Sequence, residues 1–252
     1  MAVYIKIKYG QEENIYRACY NNKNKGENIV ETWTSKENLG NGIVCYRNVI
    51  KKEFDVINRL ETTLGSVADM QELSPEGKIY HWTPAYVGYK TLMPEYRDCA
   101  DFKFKKTDIE ADTSEDSLKL QALWQDVYDA MYPAVENYRR DYNIMDLKYW
   151  EAINFIKYGP GQHFKEHHDH GFSYNCTVSL VAYVNDDYEG GELYFRLQNL
   201  KIKPQPGDLY IFPSNYMYPH VAMPVLSGTK YSIVTMLDYN KKFHTPEMHS
   251  DI

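Results

Sequence analysis

A cluster of histidines in the C-terminal half of the chain has the residue types and spacing of a metal site. Four of the eight histidines lie between positions 163 and 170, with Asp169 among them. Residues i and i+2 of a β-strand point to the same side, so His167 and Asp169 could present two adjacent ligands. His220, which follows an apolar strand and a turn, could supply the third ligand from a distant strand. Two histidines and one carboxylate predict a ferrous ion with open positions for oxygen and a co-substrate.

The spacing of the cluster allows other metal-binding pairs. His168 and His170 have the same separation as His167 and Asp169, and His163 with His167 is a further pair. A cupin-like site would require a glutamate at a set spacing behind two histidines, and the pair at 168 and 170 has no obvious one. Spacing alone therefore leaves the choice of ligands open.

Two residues outside the cluster predict a site for an acidic co-substrate. Lys230 lies ten residues after His220, and the intervening turn would bring it back on the neighbouring strand. A lysine ammonium that points into a barrel is costly unless an anion meets it. The far carboxylate of a dicarboxylic acid that chelates the iron would be such an anion. Tyr158 ends the strand before the histidines and could donate its hydroxyl to the same carboxylate.

The elements that must position these residues are mostly short strands. From residue 150 onward, short apolar segments alternate with turns every eight to twelve residues, which indicates an all-β sandwich or barrel. Before residue 150, the helical spacing of apolar residues predicts helices over 51–65 and 117–142. The second helix would be capped by Thr113 or Ser114 and kinked or divided at Pro133. Residues 66–107 are expected to form a long aromatic loop.

Four motifs resemble the 2-oxoglutarate- and iron(II)-dependent oxygenases, in particular their prolyl 4-hydroxylase-like branch. They are Y-x-x-G-x-x-F-x-x-H-x-D from Tyr158 to Asp169, NDDYEGGEL at 185–193, PGDLYIFPS at 206–214, and H-x-x-x-P-V-x-x-G-x-K from His220 to Lys230. The resemblance implies a mainly β fold with flanking helices, built on a double-stranded β-helix (jelly roll) core with N-terminal helical support. We expect a β-rich extension over 1–43, the oxygenase domain over 44–240 with its core at about 150–240, and a tail over 241–252.

The same resemblance implies a set of cofactors and residue roles. Fe(II), 2-oxoglutarate and O2 are expected, with ascorbate as reductant. The metal ligands would be His167, Asp169 and His220. The 2-oxoglutarate-binding residues would be Lys230 and Tyr158, joined by Ser179, which stands four residues before Tyr183. The implied activity is hydroxylation of a peptidyl proline, with succinate and carbon dioxide as co-products.

The substrate is the least specified part of the prediction. Peptide hydroxylases of the family often carry a tyrosine where this chain has Phe164, and tryptophans where it has Tyr231 and Met236. One alternative is an oxygenase with the same chemistry that acts on another amino-acid residue or on a small molecule. The other is a non-catalytic jelly-roll binding module. Three aromatic or basic residues of the 80–105 loop would either line a substrate groove or pack on the outer face of the core. They are Trp82, Tyr86 and Arg97.

Composition excludes several classes of protein. The net charge of -7 argues against binding nucleic acid through a broad basic face. The four cysteines show no paired spacing, so zinc-knuckle and thioredoxin motifs are absent. No apolar signal core and no long apolar run occur, which predicts a cytoplasmic protein without membrane contact. The family resemblance, in turn, implies a peptide or protein substrate. The oligomeric state is not predicted.

Overall fold

The computed structural model describes residues 3–9, 12–18, 30–66, 80–87, 91–104, 112–171 and 175–240. The chain divides into two compact units, residues 1–30 and 31–252. In the first unit, Val3–Tyr9 (β1) and Glu12–Ala18 (β2) form an antiparallel hairpin, as the alternating sequence predicts. The predicted tail over 241–252 lies outside the described residues.

The described part of the second unit is built on two larger antiparallel sheets and one small two-stranded sheet. Its strands, in chain order, are Ser35–Gly40 (β3), Ile43–Arg47 (β4), Thr83–Pro84 (β5), Arg97–Asp98 (β6), Ala100–Phe104 (β7), Tyr149–Trp150 (β8), Ile153–Tyr158 (β9), His163–His167 (β10), Val178–Tyr183 (β11), Tyr188–Gly190 (β12), Leu193–Phe195 (β13), Leu200–Ile202 (β14), Leu209–Pro213 (β15), His220–Ala222 (β16), Val225–Gly228 (β17) and Lys230–Asp238 (β18). The major sheet has the order β3-β4-β15-β11-β18-β9-β7-β5, with β8 also paired to β18. The minor sheet has the order β14-β13-β16-β10-β6, and β12 pairs with β17.

Apolar residues from the two sheets meet in one core. Tyr210 and Phe212 of the major sheet pack in the same cluster as Leu193 and Phe195 of the minor sheet. All four side chains are almost completely buried. The sheets therefore lie face to face, which is the double-stranded β-helix arrangement that the sequence resemblance implies.

Two helices support the outer face of the major sheet. They are Val56–Thr63 (α1), which follows a short 3-10 turn at Lys52–Phe54, and Glu115–Asp141 (α2). Glu61 of α1 reaches Lys157 of β9 at 2.8 Å, and the Tyr138 hydroxyl of α2 donates to the Gly42 carbonyl at 2.7 Å. Neither helix, among the described residues, is long and apolar enough to cross a membrane.

The structure confirms some of the predicted helix ends and corrects others. The Ser114 side chain accepts a hydrogen bond from the Ser117 amide at the start of α2, so it is the N-cap. A kink or a division was predicted at Pro133, and the division does not occur, because α2 runs through this position. Buried residues on both sides of the proline, Met131 and Ala134, hold the helix against its neighbours despite the lost backbone hydrogen bond.

Several strands lie where no individual strand was predicted. Residues 35–40, within the β-rich extension expected over 1–43, form β3 and pair with β4. This strand belongs to the second compact unit, which begins at residue 31. The expected aromatic loop contains β7, which adds to β9 in the major sheet. The sequence of β3, SKENLG, is mostly polar, and cross-strand pairing outweighs its weak intrinsic strand preference.

Candidate metal centre and co-substrate site

Three predicted ligands come together at one end of the minor sheet. His167 at the end of β10 pairs directly with His220 at the start of β16. One donor atom from each of His167, Asp169 and His220 lies within 4.8 Å of the others. The Nε2 atoms of the two histidines lie 3.7 and 3.8 Å from the Asp169 carboxylate. Two imidazoles and a carboxylate at this separation suit a divalent transition metal such as iron.

The backbone fixes the orientation of both imidazoles. Nδ1 of His167 lies 2.8 Å from the Lys165 carbonyl, and Nδ1 of His220 lies 3.0 Å from the Tyr218 carbonyl. A carbonyl can only accept, so each Nδ1 carries the proton and each Nε2 presents a lone pair toward Asp169. Burial, together with neighbouring His220, lowers the pKa of His167 to about 3, which keeps this imidazole neutral at physiological pH.

Asp169 differs from its predicted position. The prediction placed His167 and Asp169 on one strand, but β10 ends at His167 and Asp169 follows in a bend. Its carboxylate accepts a 2.5 Å hydrogen bond from the Ser179 hydroxyl of β11. The aspartate therefore owes its position to side-chain contacts across the core and not to strand alternation.

The other histidines of the cluster lie away from the three donors. His163 contacts the Gly161 carbonyl, and His168 is exposed. His170 turns toward the backbone of Cys176, with Nδ1 2.8 Å from its carbonyl. Within the described residues, the alternative ligand pairs that the spacing left open are not assembled.

Lys230 is buried without a carboxylate partner among the described residues. Only 1% of its surface is exposed, and its Nζ donates to the Gly191 carbonyl at 3.0 Å. The Nζ also lies 4.3 Å from the centre of the Tyr158 ring, because Lys230 and Tyr158 are direct cross-strand partners on β18 and β9. We expected Lys230 on the strand beside that of His220. It lies instead on β18 of the major sheet, because the chain crosses between sheets after β17.

Burial lowers the pKa of the Lys230 ammonium to about 7. The surrounding wall, which we call the Lys230 cluster, is largely apolar and consists of Ala85, Cys99, Ile156, Tyr158, Tyr188 and Val225. A cation in such surroundings gains most from an anion that enters with it. The donor set therefore fits one carboxylate of a small dicarboxylic acid.

Arg97 connects the Lys230 cluster with the metal ligands. Its guanidinium lies 4.9 Å from the centre of the Phe164 ring, and that ring stacks on His167 at 3.5 Å. Arg97 also pairs with Asp101 at 3.2 Å and donates to the Tyr86 carbonyl at 2.9 Å. The Arg97 Nε is buried and has no hydrogen-bond partner among the described residues.

The remaining predicted substrate-binding residues, Tyr86 and Trp82, have different surroundings. Tyr86 is 39% exposed and lies beside Arg97. Trp82 packs with Tyr231 and Lys157, whose side chains point away from Lys230 and Tyr158 because they alternate along β18 and β9. The structure thus places Trp82 on the outer face, as the packing alternative required.

Ser179 is also separate from the co-substrate residues. It pairs with Met236, six positions along β18 from Lys230, which is about 20 Å at the rise of a β-strand. Sequence reasoning missed Cys99, whose thiol contacts both Tyr158 and Arg97. No spacing signal marks this cysteine, because it reaches the site only through the step of the chain from β6 to β7.

One pH dependence follows from Lys230. Above pH 7 the free ammonium loses its proton, and a bound carboxylate must restore it. We therefore expect the Kd of 2-oxoglutarate to rise toward about tenfold per pH unit above 7, measured on the Co(II)-loaded protein by titration calorimetry. The Lys230→Met variant should bind weakly with no such slope. An equal slope in both proteins would contradict this assignment.

Comparison with known proteins supports the geometry. The 2OG-Fe(II) oxygenase superfamily model matches residues 153–237. A putative prolyl 4-hydroxylase of Acanthamoeba polyphaga mimivirus is 28% identical over 56% of this chain and 66% of its own length. Prolyl 4-hydroxylase 1 of Arabidopsis thaliana is 30% identical over 32% of this chain and 38% of its own. The matched region spans less than two thirds of either relative.

Solved structures show the same fold at lower sequence identity. A prolyl hydroxylase from Trichoplax adhaerens, in complex with a hypoxia inducible factor peptide fragment, superposes with a TM-score of 0.58 at 14% identity, covering 79% of this chain and 84% of that one. The viral collagen prolyl hydroxylase of Paramecium Bursaria Chlorella virus-1, in its 2OG complex, gives 0.51 at 17% identity over 79% and 96%. Residues 153–237 are thus similar in sequence to the 2OG-Fe(II) oxygenase superfamily, and the chain shares the fold of these prolyl hydroxylases.

Proposed function

We propose that the protein is an Fe(II)- and 2-oxoglutarate-dependent dioxygenase that hydroxylates a peptidyl proline. The observation that carries the proposal is the pairing of two features. A His167–Asp169–His220 donor set lies at the end of the minor sheet, and Lys230, which has no carboxylate partner among the described residues, is buried on the major sheet. Structural metal sites leave no open position, and a structural role for Lys230 would not explain a buried amine that no described carboxylate pairs.

The chain's own residues have distinct tasks in this mechanism. His167, Asp169 and His220 would hold the iron, which when bound supplies the activation of oxygen coupled to decarboxylation of 2-oxoglutarate. Lys230 and the Tyr158 hydroxyl would bind the far carboxylate of 2-oxoglutarate. The apolar wall of the Lys230 cluster excludes water, which strengthens this ion pair.

Arg97 and Tyr86 are the proposed contacts for the substrate. Arg97 lies against the Phe164 ring that covers His167, and it retains a buried Nε without a hydrogen-bond partner among the described residues. Such an N–H group could donate a hydrogen bond to a peptide carbonyl beside the metal. Trp82 is not included, because it lies on the outer face of the major sheet.

A protein or peptide substrate is supported by the names of the relatives. Two of them are called prolyl 4-hydroxylases, and the Trichoplax protein is described in complex with a peptide fragment. The human procollagen-lysine,2-oxoglutarate 5-dioxygenase 2 is 30% identical over 36% of this chain and 13% of its own length. Lysine is therefore the second candidate side chain. Ascorbate as reductant and a cytoplasmic location rest on the sequence alone.

Mass spectrometry of peptides after turnover tests the substrate. Proline-containing peptides should gain one oxygen atom only when Fe(II), 2-oxoglutarate and O2 are all present, with one succinate formed per oxygen gained. Matched peptides with alanine in place of proline should remain unchanged. A gain on lysine peptides alone would reassign the residue, and succinate formation without any peptide gain would contradict the peptide substrate.

A further inference from the structure

Two buried serines form a chain of hydroxyl groups that ends on the Asp169 carboxylate. The Ser179 hydroxyl lies 2.5 Å from Asp169 Oδ2, and the Ser214 hydroxyl lies 2.7 Å from that of Ser179. Ser179 has no exposed surface and Ser214 only 1%. We propose that Ser179 and Ser214 are positioning residues that hold Asp169 for metal binding, and that Ser179 does not bind 2-oxoglutarate. This inference rests on the metal site of the proposed function.

The chemistry of the groups sets the direction of the chain. An ionised carboxylate only accepts hydrogen bonds, so Ser179 must donate its single proton to Asp169. The Ser179 oxygen then accepts the proton of Ser214. Each donation polarises the next, which strengthens the bond to the carboxylate in a buried site. Alanine at position 179 would remove the donor and also leave Ser214 without its acceptor.

The backbone explains why Asp169 needs this support. The strand that carries His167 ends there, and Asp169 follows in a bend without ladder hydrogen bonds to β16. On the far side, the His170 amide donates to the Ser214 carbonyl at 2.9 Å. Ser214 thus fastens the segment after Asp169 through its backbone and fixes the carboxylate through its side chain.

The register of the major sheet brings the two serines together. Ser179 pairs with Phe212 in the alignment of β11 with β15, and Ser214 follows that strand by one residue. The Ser214 amide donates to the Thr177 carbonyl at 3.2 Å, which continues the pairing. The two hydroxyl groups therefore lie at adjoining ends of β11 and β15, which are internal strands of the major sheet.

The test is the affinity for Co(II) without 2-oxoglutarate, measured by calorimetry on the full-length protein. Loss of a group that orients a metal ligand typically weakens metal binding 10–100-fold. We expect Ser179→Ala to raise the Kd of Co(II) at least about tenfold and Ser214→Ala to raise it by a smaller factor. Ser179→Thr retains the hydroxyl and should restore the affinity. Ser117→Ala, which removes a hydroxyl with no exposed surface from helix α2, is the matched control and should leave it unchanged.

Two further measurements separate the possible failures. With saturating Co(II), Ser179→Ala should bind 2-oxoglutarate within about twofold of the unaltered protein. Unchanged metal affinity with weakened 2-oxoglutarate binding would overturn the inference and would show that Ser179 contributes to 2-oxoglutarate binding. No metal binding by the unaltered protein would instead reject the metal site itself. Ser179→Cys keeps most of the side-chain volume with a weaker donor, so it serves if the alanine variant does not fold.

Discussion

Replacement of His167 by alanine is expected to abolish tight metal binding and, with it, the conversion of 2-oxoglutarate to succinate. The imidazole is one of three donors grouped within the described residues, and its Nε2 is already directed at Asp169 by the Lys165 carbonyl. Removal of a direct ligand should exceed the 10–100-fold effect typical of groups that merely orient one. We therefore expect the Kd of Co(II) to rise by more than about 100-fold.

His168→Ala is the matched control for this variant. It removes the neighbouring imidazole from the same segment, but the His168 side chain is exposed and is not one of the three grouped donors. Its metal affinity should equal that of the unaltered protein. Loss of metal binding in His168→Ala, with retention in His167→Ala, would show that the ligands follow the alternative register.

Replacement of Lys230 by methionine is expected to weaken 2-oxoglutarate binding while metal binding is retained. A buried ion pair that loses one partner typically costs about 3 kcal/mol or more, which is roughly a 100-fold increase in Kd. Methionine keeps the unbranched length that fills the space beside the Tyr158 ring. The loss would then report the charge and not a cavity.

Lys157→Met is the control for Lys230→Met. Lys157 lies on the adjacent strand beside Tyr158, but its side chain points to the outer face and pairs with Glu61. This variant should bind 2-oxoglutarate normally in a titration of the Co(II)-loaded protein. Equal affinities of the Lys230→Met and unaltered proteins would contradict the placement of the co-substrate carboxylate at Lys230.

The grouping of donors could be predicted from the sequence because its motifs resemble those of a known family. The donor atoms of His167, Asp169 and His220 do meet, although Asp169 reaches the group through side-chain contacts and not through strand alternation. The cross-strand pairing of Tyr158 with Lys230 also agrees with the prediction that the two residues share a site.

The remaining features depend on long-range contacts that spacing does not reveal. Ser179 lies four residues before Tyr183, as the resemblance requires, yet its hydroxyl meets Asp169 because β10 stops short of the aspartate. Trp82 belongs to an aromatic loop that suggested a groove, but it faces the outer side of the major sheet. Cys99 enters the Lys230 cluster where the chain passes from the minor to the major sheet. The position of each of these residues depends on which sheet its short segment of chain joins.

The most direct test of the central claim is an anaerobic titration of the Fe(II)-loaded protein with 2-oxoglutarate, followed by visible absorption. Chelation of the iron by the keto acid should produce a weak charge-transfer band that saturates, is absent in His167→Ala, and requires a higher 2-oxoglutarate concentration in Lys230→Met. Admission of oxygen should then discharge the band with formation of succinate. Absence of both the band and succinate in the unaltered protein would contradict an Fe(II)- and 2-oxoglutarate-dependent oxygenase.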